Sequence, residues 1–295
     1  MHEVTTVYDR TTDDVGNIIE FGHVNTRIPD QRLATLFYVM GLGLTRDPYL
    51  IVGVDNMWVN VGACQFHLPT GPAQVLRGVT GLVLPDLAAL GARLGRVSER
   101  LRDTAFTWQA HDGFIDVVSP WGNRLRCHAP DAARFGRITL GMPYVEFDAR
   151  PGTVEGIARF YREILGNPAM TGEDAAGRFA RVPIGRGASL VFHETGTALP
   201  EFDGNHIQIS LADFSGPHRR LLERGLVTEE SDAHQYRFQN IIDIDTGAVL
   251  ATVEHEVRSM RHPLYARALV NRNAEVSNTD YEPGREALVW TMPMR

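Results

Sequence analysis

Four times along the chain, a short run of alternating apolar and polar residues is followed by a turn and then by apolar residues at helical spacing. The runs begin at His23-Val-Asn-Thr-Arg-Ile, Thr80-Gly-Leu-Val-Leu-Pro-Asp, Tyr144-Val-Glu-Phe-Asp and His206-Ile-Gln-Ile-Ser-Leu-Ala-Asp. A period of two marks a half-buried strand, and recurrence at i, i+3, i+4 and i+7 marks an amphipathic helix. Helices are predicted over 30–41, 86–96, 153–165 and 215–224. The first carries Leu33, Leu36, Phe37 and Met40 behind an Asp30 cap, and the third carries Val154, Ile157, Phe160, Tyr161 and Ile164 and stops at Gly166. Pro217 fits the first turn of the fourth, where no backbone donor is needed. Further period-two runs, at 57–61, 65–68, 114–118, 124–127, 189–193, 237–242 and 249–257, predict the strands between helices.

Repetition of one strand–helix–strands unit fixes an architecture ahead of any single residue. The Pro- and Ala-rich stretch 129–136 is the expected break between halves, residues 1–18 read as a polar lead-in, and 263–295 as an irregular tail. Composition changes this picture little. The 295 residues are 43% hydrophobic and 22% charged, as expected of a globular protein. A net charge of −7 argues against nucleic acid or an anionic membrane as partner. Cys64 and Cys127 are too few for a disulfide framework and lie in strand-like surroundings, so they read as free thiols. The first residues hold no apolar signal core, and no run is long enough to span a bilayer, so a cytoplasmic protein is expected.

Gly22-His23-Val24, Phe37-Tyr38 with Gly41-Leu42-Gly43, and Pro120-Trp-Gly-Asn-Arg-Leu125 carry a resemblance to a known family. With four strand–helix–three-strand units over about residues 20–258, the chain resembles the vicinal-oxygen-chelate superfamily of glyoxalase I, bleomycin-resistance proteins and extradiol ring-cleaving dioxygenases. The resemblance implies an α+β fold of four βαβββ units in two tandem half-open barrels. On this reading 19–130 is an N-terminal domain without the metal site and 137–262 a C-terminal domain with the active site.

Alternation predicts which residues line the second cavity. If the apolar face lies under the helices, Glu146, His193, His206, Gln208, Glu254 and Glu256 converge there. The family pattern implies His206 and Glu254 as metal ligands, with Glu256 as the competing register and Glu146 as a third ligand. It implies His193 as an acid–base histidine or a further ligand, and Tyr144, Gln208 and Tyr265 as lining of the substrate pocket. Laying Gly22-His23 over Gly141-Met142 puts a methionine at the usual first-ligand position. In the first half, His23, Asn25 and Arg27 share a face, Arg126 and His128 another, and Gln65 and His67 join them without a carboxylate.

Imidazole with carboxylate suits divalent iron, manganese, nickel or zinc; the resemblance implies Fe(II) first, with Mn, Ni or Zn as alternatives and no metal as the remaining one. The implied activity is that of a metal-dependent oxygenase on a small, catechol-like substrate, possible as a homodimer. A glyoxalase-like isomerase or lyase and a metal-free binding protein of the bleomycin-resistance type are the competing readings.

Overall fold

The computed structural model describes residues 9–11, 14–50, 53–274 and 279; the remainder of the lead-in 1–18 and of the tail 263–295 lies outside the described residues. Two eight-stranded sheets form, built from strands β1 (Ile18–Asn25), β2 (Thr45–Arg46), β3 (Asn56–Val61), β4 (Cys64–Pro69), β5 (Gly78–Val83), β6 (Thr107–His111), β7 (Phe114–Val118), β8 (Arg124–His128), β9 (Gly141–Ala149), β10 (Met170–Asp174), β11 (Gly177–Pro183), β12 (Ser189–Glu194), β13 (His206–Leu211), β14 (Val227–Asp232), β15 (Gln235–Ile242) and β16 (Val249–Ser259). The helices are α1 (Gln31–Ala34), continued by a π-helical segment Thr35–Gly41, α2 (Leu87–Leu101), α3 (Ala132–Phe135), α4 (Val154–Glu163) and α5 (Ser215–Leu222). This is the α+β pattern of four repeated units that the alternation predicts. Asp30 and Asp86 accept from backbone N–H groups at the starts of α1 and α2, as side-chain caps do.

The sheets do not follow the halves of the chain. One has the order β14-β15-β16-β13-β1-β4-β3-β2 and joins the first unit to the fourth; the other, β10-β11-β12-β9-β5-β8-β7-β6, joins the second to the third. The expectation of one cavity within 19–130 and another within 137–262 is therefore corrected. Residues 129–136 hold α3, and the strands on either side of it, β8 and β9, belong to the same sheet.

The apolar faces of the central strands turn inward. α4 packs on β11 of one sheet and β15 of the other, and the π-helical segment packs on α2. One continuous core results, including Phe37, Tyr38, Leu94, Phe160, Tyr161, Phe192 and Phe238, all but fully buried. Helices thus lie between the sheets, and the polar concave faces point away from each other. Cys64 and Cys127 are buried free thiols within this core. Among the described residues no helix is long and apolar enough to cross a membrane.

Candidate metal centre

The site grows from two first strands that run side by side. β1 and β13 pair antiparallel, with His23 opposite Gln208 and Asn25 opposite His206. Exchanging the two strands about their local axis sends His23 to His206 and Asn25 to Gln208. The last strands of the two units flank them in parallel: Asn25 pairs with His67 on β4, and Gln208 with Glu256 on β16. His67 and Glu256 are thus equivalent positions, as are Gln65 and Glu254. Each unit sends a first-strand histidine and a last-strand residue to one place on the concave face.

Gly22 makes the approach of these strands possible. It sits where the β1–β13 register shifts, and a Cβ there would lie 1.8 Å from the Gln208 side-chain oxygen. A bulge of this kind re-aims the next side chain, here His23.

His23, His67 and His206 each offer a ring nitrogen within 4.8 Å of the others. His23 is 1% exposed and His206 6%, and the Nε2 atom of all three is buried without a hydrogen-bond partner. Three such atoms facing one another cost free energy unless something accepts their lone pairs. Burial drives the imidazoles toward neutrality: it pushes His23 well below the usual range and His67 down to about 3, against the pull of the Glu256 charge. A neutral imidazole is the ligand form for a divalent ion. Around the ring of His67, Trp58 stacks at 3.8 Å between centroids and the Asn25 amide lies 2.6 Å from Nδ1. The Asn25 nitrogen faces Nδ1; turning the amide over would let Nδ1–H donate to the Asn25 oxygen and free the Nε2 lone pair for a metal. The donor set fits a divalent transition metal.

Glu256 lies beside the triad, its Oε2 3.5 Å from His206 Nε2. Arg237 reaches that same oxygen at 2.6 Å, and Arg258 reaches Oε1 at 2.7 Å. Burial would raise this carboxyl, but the His206 contact and the nearby Arg258 charge hold it well below the usual carboxylate range. Glu254 Oε1 is 3.6 Å from His206 Nδ1 and accepts from Arg237 at 2.7 Å. Of the two registers open in the sequence, Glu256 occupies the position equivalent to His67.

Other expected site residues are elsewhere. Glu146 and His193 lie on β9 and β12 of the second sheet, where His193 stands 3.3 Å from Glu146 and 3.2 Å from Asp174. Tyr144 is on the same sheet and its hydroxyl meets His128 Nε2 at 2.9 Å. Glu146, His193 and Tyr144 therefore do not join His206, because strand order places the third unit against the second. The cross-strand register also replaces Met142: Val79 faces Glu146 and Gly81 faces Tyr144, so Tyr144 stands where His23 and His206 stand, while Met142 is buried in the core. Gln208 does lie on the triad's face, 1% exposed, and Tyr265 sits in a strap that follows β16. His23 and His67 are candidate ligands whose meeting with His206 alternation within chain halves misses. The signal was present, since Gly22-His23-Val-Asn and Asn205-His206-Ile-Gln are parallel runs.

The strap, residues 260–274, lies over one side of the concave face. Arg267 pairs with the buried Asp47 at 2.5 Å, Ala266 N–H donates to Glu20, and Asn60 donates to the Val270 carbonyl. Asn271 exchanges hydrogen bonds with the Gly62 backbone.

No protein-family model matches this sequence, and no curated protein is similar to it at a significant level. Solved structures do match. A putative dioxygenase from Bacillus subtilis superposes with a TM-score of 0.52 at 14% identity, covering 83% of this chain and 86% of that one. Glyoxalase I from Zea mays superposes with a TM-score of 0.54 at 12% identity, covering 85% of this chain and 95% of that one. At such identities the likeness concerns the fold. The four repeated units, their two mixed sheets and these superpositions together place the chain in the fold of the vicinal-oxygen-chelate superfamily.

Proposed function

We propose that the chain is a divalent-metal-dependent enzyme of the oxygenase kind, acting on a small, catechol-like molecule at the His23, His67 and His206 centre. One observation carries this reading: the three histidines each offer a ring nitrogen within 4.8 Å of the others, and the Nε2 of each is buried without a hydrogen-bond partner. Fe(II) is the ion expected, with Mn, Ni or Zn also compatible with imidazole donors. A bound ion would supply Lewis-acid and redox chemistry to a ligand with two neighbouring oxygens.

The chain's own residues do the rest. Burial keeps His23 and His67 neutral, and Trp58 fixes the plane of the His67 ring. Arg237 and Arg258 keep Glu256 ionised beside the triad, which balances positive charge at a dry site. The strap keeps water from one side of the face.

A glyoxalase-like isomerase or lyase is the second reading, favoured by the four strands β1, β4, β13 and β16 that meet at the centre. It requires a carboxylate free to take a proton from carbon. Both Glu254 and Glu256 are instead engaged by arginine, which favours the oxygenase. The test is oxygen uptake by Fe(II)-loaded protein across a panel of simple catechols. Uptake matched by substrate loss, and abolished in His206→Ala, is expected. Turnover of a ketoaldehyde–thiol adduct by Ni- or Zn-loaded protein, without oxygen uptake, would establish the isomerase instead.

A further inference from the structure

Where the two sheets meet at one end, three backbone segments enclose a cavity of about 520 Å³. They are the end of β9, the loop from Thr195 to Pro200, and the start of β16, with Arg77 entering from the connection that leads into β5. The triad's side chains do not line it. Its volume suits a small organic molecule better than a simple ion.

Two guanidinium groups stand in its wall. Arg77 donates to the carbonyls of Thr252 and, at 3.4 Å, Pro200. Arg150 donates to the carbonyls of Val249 at 2.5 Å and Leu250 at 3.3 Å. Among the described residues neither forms an ion pair; Arg77 also lies over the Phe202 ring, 5.4 Å from its centroid, and each fork keeps N–H donors in reserve. Two acids also act on Arg77, and Asp148 itself lines the cavity. Asp148 is paired with Arg124 at 3.0 Å, and Asp203 accepts from the Val75 N–H and the Asn205 side chain. Arg77 is half-buried, and burial lowers its pKa against the raising pull of the Asp203 and Asp148 charges. Phe147, Leu199 and Leu250 add apolar wall, and Thr195 and Thr197 add hydroxyls.

We propose that this cavity is a second binding site, for a small organic anion whose carboxylate or phosphate is held by Arg77 and Arg150 and whose body rests on Phe147, Leu199 and Leu250. Arginine pairs with either group through parallel N–H bonds, so the anionic oxygens are the shared chemistry. Three of these four carbonyls, those of Val249, Leu250 and Thr252, belong to β16, the strand that carries Glu254 and Glu256 to the metal centre. A ligand there would draw on donors that brace that strand.

Isothermal titration calorimetry of the full chain tests the proposal with two probes, inorganic phosphate and benzoate. Saturable binding of one probe is expected in the millimolar range or tighter, and which probe binds identifies the anionic group. Arg77→Gln and Arg150→Gln should each weaken it by about tenfold or more, and Arg150→Lys by less, since charge survives without the planar fork. The His206→Ala variant should bind the probe normally, which separates this site from the metal centre. No heat with either probe up to about 10 mM, or binding that both glutamine variants leave unchanged, would overturn the proposal.

Discussion

His255 and His206 stand on neighbouring strands and have opposite environments. His255 donates from Nδ1 to the Val253 carbonyl at 2.7 Å, accepts at Nε2 from the Tyr161 hydroxyl at 2.7 Å, and stacks on Phe238 at 4.4 Å. Both nitrogens are occupied, so this histidine is structural, as its place on the packed face of β16 implied. Burial pushes its pKa down to about 4. The unfolded chain binds that proton near 6.5, so the stabilising effect is complete above pH 6.5 and is lost as pH falls toward 4, on the order of 3 kcal/mol. Denaturant unfolding at steps between pH 7 and pH 4 should show the decline, and His255→Asn should flatten it; a variant as pH-sensitive as the parent would contradict the assignment. The triad is legible in the sequence only in part. Alternation puts His206, Glu254 and Glu256 on one face, but it cannot choose between two glutamates separated by two residues. In the structure Glu254 pairs with His206 and Glu256 with Gln208, and the two carboxylates lie 3.6 Å and 3.5 Å from the His206 ring. Alternation sets His67 beside His23, but nothing local in Cys-Gln-Phe-His-Leu-Pro tells that this face will meet His206.

At the scale of elements, strands with one packed face were readable and strands at sheet edges were not. β10 (Met-Thr-Gly-Glu-Asp) and β14 (Val-Thr-Glu-Glu-Ser-Asp) are mostly exposed, so neither face carries an apolar pattern. Their charges also suit an edge that must not recruit another strand. The first helix shows a second limit. Its π-helical segment closes a wider turn, with Leu42 N–H donating to the Phe37 carbonyl, and Met40 ends half exposed instead of completing the apolar stripe. The strap has no periodic signal, yet its contacts are specific. Removing the Arg267 side chain leaves Asp47 with backbone and Gln65 donors but no counter-charge. Arg267→Ala should cost roughly 2–3 kcal/mol and speed amide exchange at Ala266 and Asn271 well above that of β16. Hydrogen exchange read by mass spectrometry checks this, and unchanged protection would mean that the strap is held by other contacts.

For the whole molecule, the decisive feature is that the first unit waits for the fourth. Equivalent first-strand residues of the paired units are far apart in sequence, which no local pattern can reveal and which a long loop closure must offset. A fragment ending at Pro130 leaves β1 without β13 and β5 without β9, so it should show no cooperative unfolding transition by circular dichroism. The two sheets interlock through glycines. At Gly62, with φ +64°, a Cβ would lie 1.9 Å from the Leu140 carbonyl oxygen, and at Gly185, with φ +80°, 2.2 Å from that of Ile19. Gly62→Ala should destabilise by about 2–4 kcal/mol, measurable as a lower denaturation midpoint; a shift within experimental error would mean that the sheets are free to separate there.

The pairing of the first unit with the fourth is also what brings His23 and His67 to His206, and it is open to one direct measurement. Metal content per chain should be determined on protein purified without chelator, for the parent and for His23→Ala, His67→Ala, His206→Ala and His193→Ala. The account predicts close to one divalent ion per chain in the parent and in His193→Ala, and its loss in each of the three triad variants. An ion that survives His67→Ala but is lost with His193→Ala, or no bound metal at all, would contradict it.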